Sequence, residues 1–199
     1  AGTHTAQAVA ASVTLFEFIS VACSLVLALA LSRGLNGIRS VFFADRRYWP
    51  HAIWLVTKLL NTVTYWWWLW AYNEIHSFWN ILTFLLYLSV PVGIYLQVDS
   101  LVGHHPREIR DWRERYFDEH KLFFGLNGIL AILVFVVFSN VLTPGDPNLV
   151  GSIWMLIALV YSAIGFKSDN SKTHWVIACL AFTTQLLFLM SLFDAPSLE

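Results

Sequence analysis

The sequence predicts an all-α fold: an integral membrane bundle of six transmembrane helices, with one short amphipathic helix on the cytoplasmic surface. Three observations lead there. The composition is very apolar, six apolar runs reach bilayer length, and the cations are confined to alternate connections. Of 199 residues, 57% are hydrophobic and only 13% charged, and the mean hydropathy is +0.60. Soluble domains are nearer half apolar and a quarter charged. The formal net charge of −1 says little, because the placement of charges matters more than their sum. Nucleic acid is not an expected partner; the lipid bilayer is.

The apolar runs fall at approximately 9–33, 51–72, 77–98, 122–142, 149–167 and 173–193, each close to the roughly 20 residues that a bilayer core requires. Together they make residues 1–199 a single transmembrane domain. Ahead of the first run, Ala1–Gln7 carries no Lys or Arg, unlike the basic start of a cleaved signal peptide. In the third run Pro91 is expected to kink the helix and free a backbone carbonyl. Thr143-Pro144-Gly145-Asp146-Pro147-Asn148 supplies turn chemistry between the fourth and fifth runs. The remaining long connection contains Pro106, suited to a first helical turn. Ile109, Trp112, Tyr116 and Phe117 follow at helical spacing, so 106–120 reads as an amphipathic surface helix lying on lipid or docking a partner.

Charge placement orients the bundle. Arg33, Arg39, Arg46 and Arg47 lie between the first two runs, and Arg107, Arg110, Arg113, Arg115 and Lys121 between the third and fourth. Lys167 and Lys172 lie between the fifth and sixth, and Lys58 is the one cation left over. By the positive-inside rule the three basic connections are cytoplasmic and both termini outside, in a bacterial-type plasma membrane. Tryptophans agree: Trp66, Trp67, Trp68 and Trp70 crowd the outer end of the second run, while Trp49, Trp112 and Trp175 sit at the inner boundary. Four Trp within five residues point all around a helix, as a headgroup-level belt would.

Candidate functional residues are few. Glu17 opens the first helix, with Ser20, Ser24, Ala28 and Ser32 on one stripe behind it. Lys58, Asn61, Thr62 and Tyr65 share a face of the second helix. Glu17 and Lys58 invite pairing, since an isolated charge in a bilayer is costly. Depth opposes it: Glu17 stands about 24 Å from the cytoplasmic boundary and Lys58 about 12 Å, at 1.5 Å per residue. A second polar layer, Tyr161, Ser162, Thr183, Thr184 and Gln185, reads as interhelical glue. Asn127 and Asn140 fall near the two ends of the fourth run. GLNGI occurs at 34–38 and again at 125–129, but the copies do not bring helices into register.

The histidines sit at helix ends or in connections. His104, His105 and His174, with Asp99, could meet at the cytoplasmic surface and bind a metal such as zinc. No clustered HxxxH or HxxHH motif backs that idea. Nor is there an HExxH, GxSxG, P-loop or GxGxxG motif, so an enzyme has no positive support. No cofactor is expected, although a bound lipid is compatible with the composition. Cys23 and Cys179 lie inside apolar runs and read as small core hydrophobes. Three functional readings follow. The first is a non-enzymatic subunit or scaffold that packs against lipids and other membrane proteins, as a homo-oligomer or in a larger complex. The second is a channel or transporter for a proton, cation or small solute, with Glu17, Lys58 and Tyr65 lining the path. The third is a metal-dependent membrane enzyme using the cytoplasmic histidines.

Overall fold

Among the described residues the apolar runs fold into six helices. The computed structural model describes residues 15–71, 80–103, 105, 106, 108–137 and 149–193. The helices are α1 (Leu15–Phe43), α2 (Trp49–Ala71), α3 (Ile81–Val102), α4 (Trp112–Val137), α5 (Leu149–Lys167) and α6 (Ser171–Phe193). Four stretches are long and apolar enough to cross a membrane: Glu17–Phe43, Ile81–Val102, Trp112–Val137 and Ser171–Met190. Ser152–Lys167 of α5 is apolar but shorter. Large apolar side chains such as Leu25, Leu82, Ile132, Leu156 and Leu180 face outward, as suits a lipid surroundings rather than water. The expected turn at 143–148, together with Asn140 and His104, lies outside the described residues.

Local capping explains several boundaries. Asn80 accepts from the backbone N–H groups of Leu82 and Thr83, while the Thr83 hydroxyl accepts from the Asn80 N–H, closing a capping box at α3. At α6 the Asn170 carboxamide accepts from the Lys172 N–H at 3.0 Å.

The helices close a ring in the order α1, α3, α4, α5, α6, α2. α1 packs on α3 and α2, α4 joins α3 to α5, and α6 lies against α2. α5 and α6 touch each other sparingly, and α2 leans inward onto α3 and α4. Pro91 lies inside α3, where a proline ring leaves the carbonyl four residues earlier without its helical donor. That carbonyl is Tyr87 O, and the Tyr65 hydroxyl of α2 donates to it at 3.4 Å. The freed carbonyl expected from the sequence has thus become an interhelical contact.

Three expectations are corrected. First, α1 continues ten residues beyond Arg33, to Phe43. Its buried face there is Ala30, Gly34, Gly37 and Val41, while Arg33 stays at the margin and pairs with Asp99 of α3 at 2.7 Å. Second, the small-residue stripe is only partly covered, with Ser20 and Ser24 half-buried. Ile19, Cys23 and Leu27 are buried instead, and Ala28 and Ser32 are exposed. Third, 106–120 is not a separate surface helix, because 112–120 forms the first turns of α4. Asp111, not Pro106, makes the cap, accepting from the N–H groups of Arg113 (2.9 Å) and Glu114 (3.2 Å). The apolar side of that stretch turns into the bundle: Trp112 is fully buried and Tyr116 nearly so. The face that the sequence offered to lipid or a partner is already covered.

The connection preceding α2 is tied to the one preceding α4. The Arg46 N–H donates to the Arg110 carbonyl, and the Trp112 N–H donates to the Arg46 carbonyl, each at 3.1 Å. Arg46 also pairs with Asp111 at 3.3 Å. Both connections therefore move as one cap on the basic end of the bundle.

Two measurements test this packing. A Cβ on Gly37 would stand 2.5 Å from Val102 Cγ2, a stiff β-branched neighbour, whereas one on Gly125 would meet nothing closer than Phe166 at 3.8 Å. Gly37→Ala should lower unfolding stability in detergent by roughly 1–3 kcal/mol, and Gly125→Ala should raise it by about 0.5–1 kcal/mol through helix propensity. The two glycines occupy different places in the repeated GLNGI, so equal effects would contradict the packing. For Asp111, hydrogen bonds from Glu114 and Arg113, helped by Arg46, hold the carboxyl below its ordinary range. Such a group stabilises fully above the usual Asp range and loses its contribution as pH falls through the lowered value. Acid-scan melting curves should show that loss in the parent chain and not in Asp111→Asn, which keeps a capping oxygen but cannot titrate.

Candidate functional site

The second helix carries its polar residues inward. Lys58 is 5% exposed and lies among aromatic rings, its amino nitrogen 5.9 Å from the centroid of Trp54 and 5.6 Å from that of Phe123. Trp54 is itself completely buried and meets Phe123 and Phe124 edge-on at 5.0 and 5.4 Å. The tryptophan belt is therefore partial: Trp49, Trp66, Trp67 and Trp175 are exposed, but Trp54 and Trp112 are core residues.

Lys58 donates to Asn127 Oδ1 of α4. The same oxygen accepts from Gln97 Nε2 of α3 at 3.2 Å. Asn127 Nδ2 donates to the Ser162 hydroxyl of α5 at 2.7 Å, and that hydroxyl donates to the Ala158 carbonyl at 2.6 Å. The chain of donors fixes the carboxamide with its oxygen towards Lys58. One residue thus gathers α2, α3, α4 and α5. In the sequence Asn127 falls near the end of the fourth apolar run, which starts at about 122. With α4 beginning at Trp112, Asn127 lies well inside the helix.

A turn further along α2, Asn61 Nδ2 donates to Gln185 Oε1 of α6 at 3.4 Å, and Gln185 Nε2 donates to Thr64 Oγ1 at 3.1 Å. Thr62 donates to the Lys58 carbonyl at 2.7 Å and is buried away from these groups. The polar layer expected on α5 and α6 divides: Ser162 and Gln185 are buried and bonded, whereas Thr183 is exposed.

Between the two polar clusters lies a cavity of about 210 Å³. Lys58, Asn61, Thr64 and Tyr65 line it from α2, with Asn127 on α4, Tyr161 on α5 and Gln185 on α6. Its remaining wall is apolar, including Ile94, Leu130, Val134, Trp154 and Phe188. A void of this size exceeds many times the space that one water needs.

Glu17 takes no part in the lining. It is exposed on α1, and among the described residues no carboxylate lies within ion-pair distance of Lys58. Ser24 instead accepts from Trp66 Nε1 at 3.0 Å, tying α1 to α2, and the Ser20 hydroxyl is buried without a partner. Of the residues singled out on the first two helices, Lys58, Asn61 and Tyr65 meet at one cavity; Glu17, Ser20, Ser24 and Thr62 do not.

The histidines at the basic end are structural in their contacts. His174 Nε2 donates to the Ser168 carbonyl at 2.6 Å, so Nδ1 is left to accept the Tyr116 hydroxyl at 2.9 Å. Both nitrogens are engaged, which takes His174 out of a metal site. His51 donates to the Leu101 carbonyl at 2.8 Å beneath the Trp112 ring. His120 is turned toward the Phe117 carbonyl and stands 3.3 Å from the Asp169 carboxylate. His105 is exposed beside Glu108 in a shallow surface recess. Among the described residues no three His, Cys, Asp or Glu side chains stand close enough to hold a metal ion.

Comparison with known protein families, curated proteins and solved structures finds no match to this chain.

Proposed function

We propose that the chain is a six-span membrane protein of one domain, its basic end cytoplasmic, that binds a small solute in the cavity at Lys58. That reading belongs with carriers and channels rather than with subunits whose only task is packing. The observation that carries it is the position of the Lys58 amino group: buried, without a carboxylate partner among the described residues, and at the wall of a 210 Å³ cavity that is apolar over most of its lining. Burying a charge without a counter-charge is expensive, and residues that cost stability are retained where they serve a site. The sparing contact between α5 and α6, both of which wall the cavity, supports an approach from that side. Glu17, which lies elsewhere, has no place on the path.

A stability measurement separates this role from helix-gluing. In Lys58→Met, Asn127 Oδ1 keeps its hydrogen bond from Gln97, so no acceptor is orphaned. Removing a buried site charge should then raise unfolding stability by about 1 kcal/mol or more. If Lys58 were glue, its loss would cost roughly 1.5–3 kcal/mol. A destabilised Lys58→Met protein would return the chain to the packing-subunit class.

A further inference from the structure

The cavity carries two hydrogen-bonding points of opposite sense, and their arrangement bears on what it takes; the argument rests on the solute-binding reading above. Lys58 has one described partner, Asn127, whereas an ammonium has three N–H donors. Its amino group therefore keeps N–H donors for a ligand, and an anion placed there would favour its charged form. Asn61 lines the same cavity one helical turn away. Its Nδ2 is engaged with Gln185. Its Oδ1 accepts from nothing among the described residues and is not sealed away, which leaves it open to a donor brought by a ligand.

The hydroxyls reinforce this polarity. Thr57 donates to the Ile53 carbonyl at 2.7 Å and Thr184 to the Ala181 carbonyl at 2.8 Å, which turns lone pairs rather than protons towards the space. Lys58 is thus the one basic side chain in the lining, whose donors on Thr57, Thr184, Asn127 and Gln185 are committed to protein acceptors. The lining also includes Val134, Trp154 and Phe188, which would desolvate a hydrocarbon body. A dry cavity of 150 Å³ holds benzene, so 210 Å³ accommodates roughly eight or nine non-hydrogen atoms.

We infer that the ligand is a small organic monoanion with a short apolar body and a hydroxyl, its carboxylate on Lys58 and its hydroxyl donating to Asn61. The carboxylate supplies the counter-charge that no described residue supplies, and its charge-assisted hydrogen bonds are the strong kind. The hydroxyl satisfies the Asn61 oxygen. Neither covalent nor redox chemistry is involved.

The test uses the full chain in lipid nanodiscs and six-carbon probes: hexanoate, 2-hydroxyhexanoate, 6-hydroxyhexanoate, hexanol and hexylammonium. Binding is read by calorimetry and by the fluorescence of the tryptophans. Hexanoate should bind and hexylammonium should not, and one of the two hydroxy acids should bind at least fivefold more tightly than hexanoate. Lys58→Gln should weaken every carboxylate at least tenfold. Asn61→Leu should abolish the gain from the hydroxyl while leaving hexanoate unchanged, which a merely misfolded variant would not do. Hexanol or hexylammonium binding as tightly as hexanoate would overturn the anion assignment and leave solute binding standing. Hexanoate binding that ignores Lys58→Gln would also overturn it. If no probe binds the folded protein, both the assignment and the solute-binding reading fall.

Discussion

The hydrogen bond from Lys58 to Asn127 is the interaction around which the bundle interior is arranged. An amino group that is 5% exposed among apolar helices needs an acceptor, and Asn127 provides one without providing a charge. To do so the carboxamide must hold one orientation, and Ser162 and Gln97 supply the bonds that hold it. Those two residues come from different helices, so the requirement of one side chain draws α2, α3, α4 and α5 to a common point. The network leaves both hydrogen bonding and electrostatics incomplete: Gln97 Oε1 is buried without a partner, and among the described residues no carboxylate pairs with Lys58. A buried pair with Glu17 would have completed the electrostatics, and the chain does not make one. That incompleteness is what distinguishes the cavity from the other polar contacts in the bundle.

The basic end solves a different problem. Long helices slide and splay unless something fixes their ends, and here connections far apart in sequence are bound to each other. Arg46 bridges to Arg110 and Trp112 through the backbone and to Asp111 through its side chain. Arg33 holds Asp99 and the Gly103 carbonyl at the end of α3. Gly103 adopts φ 72°, and a Cβ there would press on the Arg115 guanidinium at 2.8 Å, so the turn out of α3 needs glycine. His51, Trp112, Tyr116 and His174 fill the space beneath. The Tyr48 hydroxyl in the first connection meets the Ser171 hydroxyl at 3.1 Å, reaching α6 as well. Burial pushes the Tyr48 phenol above its ordinary range, which keeps it a neutral hydrogen-bonding group. With one end rigid, the sparing contact between α5 and α6 becomes the most yielding part of the ring.

The all-helical architecture and the apolar segments were legible in composition and run length, because a backbone in an apolar surrounding must satisfy itself within helices. The donor residues on α2 were also legible: Lys58, Asn61 and Tyr65 share a face at helical spacing, and they do meet. Their partners were not. Asn127 falls near the end of the fourth apolar run because hydropathy places the start of that run too late. Charged residues such as Arg113, Glu114 and Arg115 dilute the apolar signal, although the helix runs straight through them. The same dilution split 106–120 into a surface helix of its own. The small-residue stripe on α1 failed for another reason: periodicity says which residues share a face but not which face is buried, and Gly34 with Gly37 decided that. The histidines looked like free donors because sequence cannot show that both nitrogens of His174 are already engaged.

The central claim is that Lys58 presents its charge to an accessible cavity instead of sealing a core. Thiol labelling tests it most directly. With Cys23 and Cys179 replaced by Ala, a single Ala131→Cys places a reporter on the cavity wall. Small methanethiosulfonate reagents of opposite charge then report both access and sign. Labelling should proceed, with the anionic reagent reacting at least several-fold faster than the cationic one, and that preference should vanish in Lys58→Gln. A thiol that neither reagent reaches in the folded protein, or a preference that is unchanged without Lys58, would contradict the account.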